Sequence, residues 1–207
     1  MIVGITGGIA TGKSTVTGLL HALGAITFSA DEASRAVLSK DGPVISDIRK
    51  EFGNRAIAEN GTLNRVALAE LIFADPLARA RLNNILHPRI RRLLNDQLES
   101  AKDDYPAKIV AVEIPLLYEG QLENWFERII VVVSSEAVEL ERLMARNGLS
   151  ADEANRRIRA QMPLADKAKL ATYVVYNNGP LAALAPQVAA IWNSLKSPLS
   201  EHSLSTK

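Results

Sequence analysis

Met1-Ile2-Val3-Gly4-Ile5-Thr6-Gly7-Gly8-Ile9-Ala10-Thr11-Gly12-Lys13-Ser14 opens the chain. Its second half, Gly7 to Ser14, spells G-x-x-x-x-G-K-S. The motif follows a β-like run, Ile2 to Ile5, and leads into a helix-forming stretch from Ser14 to Leu23. A strand, a glycine-rich loop, Lys-Ser and a helix in that order are the context a phosphate-binding loop requires. Glycines let backbone N–H groups close around phosphate oxygens where side chains would block the approach. Lys13 has the reach for β- and γ-phosphates, and the Ser14 hydroxyl suits Mg²⁺. The helix that follows points its positive end at the same anion. The reading is a nucleoside-triphosphate site.

Outward from this loop the chain reads as α/β. Five apolar, β-branched runs stand out: Ile2 to Ile5, Ala25 to Phe28, Lys108 to Ile114, Arg128 to Val133 and Tyr173 to Tyr176. Runs this apolar suit strands covered on both faces, and the helical stretches between them predict a five-stranded parallel sheet flanked by helices. Ligands then belong at the carboxyl ends of the strands. Residues from Ala30 to Leu98 are too many for one crossover. About four helical segments, punctuated by Gly42-Pro43, Asn60-Gly61 and Asp75-Pro76, predict a helical insertion beside the sheet, about 33–100. The Ser-rich stretch from Ser194 to Lys207, with Pro198, is expected to fray.

Composition narrows the class. The chain has 207 residues, 47% hydrophobic and 23% charged, enough for one domain with a full core. A net charge of +1 gives no signature for a nucleic-acid partner. There is no cysteine, so disulfides and thiolate chemistry are out. The apolar runs are strand-length, short of the roughly 18 residues a bilayer span needs. No basic leader precedes the first strand. A cytoplasmic protein without a membrane role is expected, and nothing points to a particular oligomeric state.

The remaining candidates sit at strand ends and on helices. Asp31, after the second strand, is either a carboxylate that orients an acceptor hydroxyl or an acid in a first helical turn, since Ser29 and Glu32 have capping-box spacing. Arg35 shares its helix face and either holds an anionic substrate or pairs with Asp31. His87-Pro88 predicts a helix break. His87 is either structural or functional, and Arg89, Arg91 and Arg92 are a solvated face or a phosphate attractor. Glu113 ends the third strand, as a Mg²⁺-side carboxylate or a plain strand-end acid. Pro115 redirects the chain there, leaving Leu116, Leu117 and Tyr118 as an apolar wall. Glu136 to Arg146 predicts a helix stopped by Asn147-Gly148, and Ser150 to Glu153 opens another with a capping box. Arg142, Arg146, Arg156, Arg157 and Arg159 on this pair either close over phosphates or pair as solvated faces with Glu139, Glu141, Asp152 and Glu153.

Taken in order, these segments resemble the dephospho-coenzyme A kinase family. The resemblance runs through Gly4 to Ile9 with Gly12-Lys13-Ser14-Thr15, Ala30-Asp31 with Arg35, and Phe52-Gly53 with Asn60 to Arg65. It continues through Leu86-His87-Pro88, Pro115 to Glu119, Arg157-Ile158 with Gln161, and Asn177-Asn178-Gly179. It covers about residues 2–193. It implies a nucleotide-kinase core with a helical substrate region and a lid, about 140–165. It also implies ATP-dependent phosphorylation of the ribose 3′-hydroxyl of dephospho-coenzyme A, with Mg²⁺, as the last step of coenzyme A synthesis. On this resemblance Gly8, Ile9, Ala10, Thr11, Gly12, Lys13, Ser14 and Thr15 hold ATP phosphates, and Asn177 lies near the adenine. Asp31 is the base, beside Lys13, Arg142 and Arg146 as catalytic groups. Arg35, His87, Pro115, Leu116, Leu117 and Tyr118 line the acceptor site, and Ser14 and Glu113 face the metal. The chain departs from the family pattern at Ser29, Glu113, Thr172 and Tyr176, where Asp is usual. A switch GTPase would carry N-K-x-D and a transport ATPase L-S-G-G-Q, and neither motif occurs. A kinase for another small acceptor and a non-catalytic ATP sensor are the rival expectations.

Overall fold

The computed structural model describes residues 1–40 and 42–197. Five strands, β1 (Ile2–Gly7), β2 (Ile26–Ser29), β3 (Val110–Glu113), β4 (Arg128–Val133) and β5 (Tyr173–Tyr176), form a parallel sheet in the order β2-β3-β1-β4-β5. The first strand is therefore central. Ile5 lies beside Glu113 on one side and Ile130 on the other. Every residue of β1 is buried, which is why its side chains, Thr6 apart, are apolar on both faces rather than alternating.

The described residues fold into two compact units, one within 1–28 and 105–207, the other within 29–104. In the first, Val3, Ile5, Ile130, Val132 and Val175 of the sheet pack with α1 (Lys13–Ala22) through Val16 and Leu20. The same cluster takes in α9 (Leu181–Lys196) through Leu184, Val188 and Ile191. Each such side chain is worth about 1.5–3 kcal/mol of burial. The second unit holds α2 (Ala30–Lys40), α3 (Gly42–Phe52), α4 (Arg65–Ala74) and α5 (Pro76–Asp104) around Val37, Val44, Ile48, Leu68, Leu82 and Leu86.

Local chemistry sets the boundaries. Ala25 was expected in the second strand, yet its N–H donates to Leu20 O at 3.0 Å while Gly24 N–H donates to His21 O at 2.9 Å. These two bonds close α1, so the strand starts one residue later. Asn60-Gly61 turns a small hairpin in which Ile57 bridges Leu63, with Thr62 N–H donating to Asn60 Oδ1 at 3.1 Å. Asp75 Oδ1 accepts from Leu77 N–H at 2.8 Å, and Pro76 takes the first helical position, where its missing N–H costs nothing. The helix expected over Glu136 to Arg146 is α6 (Glu136–Asn147), stopped by left-handed Gly148. Ser150 and Glu153 form the expected capping box at the start of α7 (Ala151–Arg159). A short α8 (Leu164–Lys169) precedes β5.

Two expectations need correction. His87-Pro88 does not break a helix: α5 runs through Pro88 without interruption. Leu82, Leu86, Leu94 and Leu98 are buried along it on both sides of the proline, and that packing outweighs the lost bond and ring crowding of about 3 kcal/mol. One turn N-terminal to Arg89, the Ile85 carbonyl accepts from Arg89 Nη1 at 2.8 Å, so this turn gains a side-chain bond. At the other end, the stretch expected to fray from Ser194 is helical as far as Lys196. Residues 198–207 of that stretch lie outside the described residues. No described helix is long and apolar enough to cross a membrane.

Candidate active site

The phosphate loop joins β1 to α1 through two left-handed residues, Ala10 (φ 61°) and Gly12 (φ 92°). The Gly8 carbonyl organises it. It accepts from Thr11 Oγ1 at 3.0 Å and from the Lys13 ammonium at 2.7 Å. No side chain caps α1 at Gly12. A helix start without a cap is the arrangement an anion completes. Gly12 is required twice over: its φ is left-handed, and a Cβ there would collide with Asn177 Nδ2.

Parallel pairing of β1 with β3 brings Glu113 to the start of α1. Its carboxylate accepts from Ser14 Oγ at 3.2 Å and from Thr17 Oγ1 at 3.3 Å, and the side chain is buried. A hydroxyl and a carboxylate within one hydrogen bond of each other, both hard oxygen donors, suit Mg²⁺. That ion usually takes one or two carboxylates and completes its shell with phosphates and water. Among the described residues no three His, Asp or Glu side chains cluster as a self-sufficient metal cage. Ser14 and Glu113 are the hard-oxygen pair that could hold such an ion.

The end of β5 locks the loop from the other side. Asn177 N–H donates to Val133 O at 2.7 Å, and its Nδ2 donates to Thr11 O at 2.8 Å. Its own carbonyl accepts from Arg142 Nη1 at 3.0 Å. Asn178 Oδ1 accepts from Ser135 N–H at 2.7 Å, beside the N-cap of α6. Asn177 is thus a buried strut of the phosphate loop. Arg142 and Arg146, one turn apart, differ: Arg142 is half-buried against Asn177, whereas Arg146 is exposed and bonds its neighbour Asn147 Oδ1 at 2.9 Å.

Past β3, the Pro115 carbonyl accepts from Thr6 Oγ1 at 3.2 Å and from Lys167 Nζ at 3.3 Å. The Lys167 ammonium, fully buried, also meets Glu119 Oε1 at 2.8 Å, and Met162 N–H donates to the same oxygen at 3.0 Å. Burial works against charge on Glu119. Lys167 and the backbone N–H groups of Glu119 and Met162 outweigh it, so the carboxyl stays below its ordinary range. The expected apolar wall divides: Leu117 is in the core, Leu116 is exposed, and the Tyr118 hydroxyl is buried without a partner, as is Gln161 Oε1. Burial, with Glu123 nearby, raises the Tyr118 phenol.

Asp31, Arg35 and His87 belong to the helical unit. Asp31 is exposed in the first turn of α2, two residues after β2 ends; Arg35 is exposed one turn on, and His87 is exposed on α5. Sequence reasoning missed three groups. Lys167 and Thr6 gave no signal. Glu139 did, in its i,i+4 spacing with Leu143, although the charge pattern reads it as a solvated partner of the arginines. It is buried, 3% exposed, and its Oε1 has no hydrogen-bond partner.

A profile of the dephospho-CoA kinase family matches residues 1–183. The chain is 42% identical to a dephospho-CoA kinase of Moorella thermoacetica, over 97% of this chain and 94% of the relative. It is 39% identical to one of Staphylococcus aureus, over 86% and 85%. A crystal structure of a Thermus thermophilus protein superposes with a TM-score of 0.78 at 36% identity, over 95% of this chain and 98% of that one. The dephospho-CoA kinase of Campylobacter jejuni gives 0.72 at 26%, over 94% and 96%. The chain belongs to the dephospho-CoA kinase family.

Proposed function

We propose that the protein transfers the γ-phosphoryl group of ATP to the ribose 3′-hydroxyl of dephospho-coenzyme A, giving coenzyme A and ADP. Family membership supports the reaction, and one local observation carries it furthest. Lys13, Ser14 and Glu113 are assembled around a loop whose shape is held by Asn177 and Thr11. In the transfer, the 3′ oxygen forms a bond to the γ-phosphorus as the bond to the β,γ-bridging oxygen breaks. Asp31 takes the hydroxyl proton. Catalysis is then mostly positioning and charge. Lys13 leaves Gly8 O for the phosphate oxygens. Ser14 and Glu113 would hold Mg²⁺, which would supply positive charge against the phosphate oxygens. Arg142 and Arg146, on the helices proposed as a lid, add positive charge from that side. Arg35, His87 and the Pro115 to Tyr118 segment receive the acceptor, with the unpartnered Tyr118 hydroxyl as a polar handle. Asn177 acts through the loop it braces. The same reading puts the work in the cytoplasm, where ATP is supplied.

Mass spectrometry of dephospho-coenzyme A incubated with Mg²⁺-ATP and the protein tests the proposal. The expected product is heavier by one phosphoryl group, placed on the 3′ oxygen by phosphorus NMR. Recovery of unchanged acceptor with ATP bound would favour a sensing module.

A further inference from the structure

Beneath the phosphate loop lies a carboxyl group for which the phosphoryl transfer has no use. Glu139 projects from the buried face of α6, and its Oε1 sits against Gly8 so closely that a Cβ there would collide with it. Gly8 is also the residue whose carbonyl receives the Lys13 ammonium at 2.7 Å. Burial without a hydrogen-bond partner for Oε1 disfavours the ionised form and lifts the group to about 7. Lys13 of α1 and Lys167 of α8 pull it back down, and Glu136 on its own helix pushes it up. Lys167 is already committed to Glu119 at 2.8 Å, so Lys13 is the cation whose departure would be felt most.

We propose that Glu139 is a positioning residue of the phosphate loop that gains a proton as a polyphosphate enters. Before nucleotide binds, the ionised carboxylate and the Gly8 carbonyl together hold Lys13 in the loop. An entering triphosphate brings several negative charges to the far side of Gly8 and draws Lys13 toward its oxygens. Both changes favour the neutral carboxylic acid. A proton taken from solvent converts carboxylate to acid, and the negative charge beneath the loop disappears. The inference rests on the nucleotide-site reading and goes beyond it.

Isothermal titration of Mg²⁺-ATP into the protein at pH 8, in two buffers of different ionisation enthalpy, counts the protons. At that pH the terminal phosphate, with its pKa near 6, is already ionised. The wild type should take up close to one proton and Glu139→Gln none. ATP affinity should weaken roughly fivefold from pH 7 to pH 8 in the wild type and stay flat in the variant. A merely structural glutamate would move neither readout. Binding without buffer dependence in the wild type overturns the proposal and leaves the nucleotide site standing, and so does equal uptake in both proteins. Absence of any ATP binding removes the nucleotide reading itself, and this inference with it. If the glutamine variant does not fold, the wild-type proton count and affinity profile decide alone.

Discussion

Lys167→Met is the most informative single perturbation of the site's scaffold. Methionine keeps the apolar stem and deletes the ammonium, which is fully buried and holds both Glu119 Oε1 at 2.8 Å and Pro115 O at 3.3 Å. Removing one member of a buried charge pair costs about 3–5 kcal/mol. Glu119 keeps 24% of its side chain exposed and the Met162 N–H, which moves the cost to the low end. Loss of the bond to Pro115 O adds about 1 kcal/mol, tempered because Thr6 Oγ1 still donates there at 3.2 Å. A total near 3 kcal/mol is expected by urea unfolding at pH 7.5, with an unchanged slope. Adding Glu119→Gln should recover part of it, since no unpaired charge then remains. The pH dependence has a definite sign. The folded carboxyl of Glu119 lies below its ordinary value of 4.5, so its contribution is present above that value and fades as pH falls through the folded pKa. The difference between wild type and Lys167→Met should therefore shrink as pH falls below the ordinary carboxyl value of 4.5 and through the lowered folded one. A loss under about 1 kcal/mol at pH 7.5, or a difference that grows on acidification, would refute the account of this network.

Three further outcomes are expected. Asp31→Asn should bind ATP normally and turn over about 10²–10⁴-fold more slowly, as loss of a general base does; single-turnover kinetics check it. Asn177→Ala leaves Thr11 O without its buried donor, a cost of about 1–3 kcal/mol, and should weaken ATP binding about tenfold while the fold persists, read by calorimetry beside circular dichroism. Arg142→Gln should lower kcat more than Arg146→Gln, because Arg142 is braced on Asn177 O and Arg146 reaches only Asn147; equal kcat in both variants and the wild type would remove the lid role.

Where a local rule and the tertiary packing agreed, the chain could be read directly. β1 and the loop after it are legible because strand, glycines and helix start are all local features, and the caps at Gly148 and Ser150 follow from single residues. Pro88 misled because its local effect is real but smaller than the packing of the long helix around it. Lys167, and the burial of Glu139 beyond its spacing with Leu143, are hidden in the sequence for a different reason. A charged residue on a helix reads as solvated unless its burial partner is known, and the partners here, Gly8 and Glu119, come from distant parts of the chain. The family resemblance singles out Asn177, but its bond to Thr11 O, 166 positions away, required the fold.

The central claim is the choice of acceptor. Steady-state ADP release with Mg²⁺-ATP, comparing dephospho-coenzyme A with a panel of nucleoside monophosphates, tests it most directly. The account predicts kcat/KM for dephospho-coenzyme A at least about a hundredfold above every other acceptor, within reach of a site that hydrogen-bonds its substrate. Comparable turnover of a nucleoside monophosphate, or no turnover of dephospho-coenzyme A by protein that binds ATP, would contradict it.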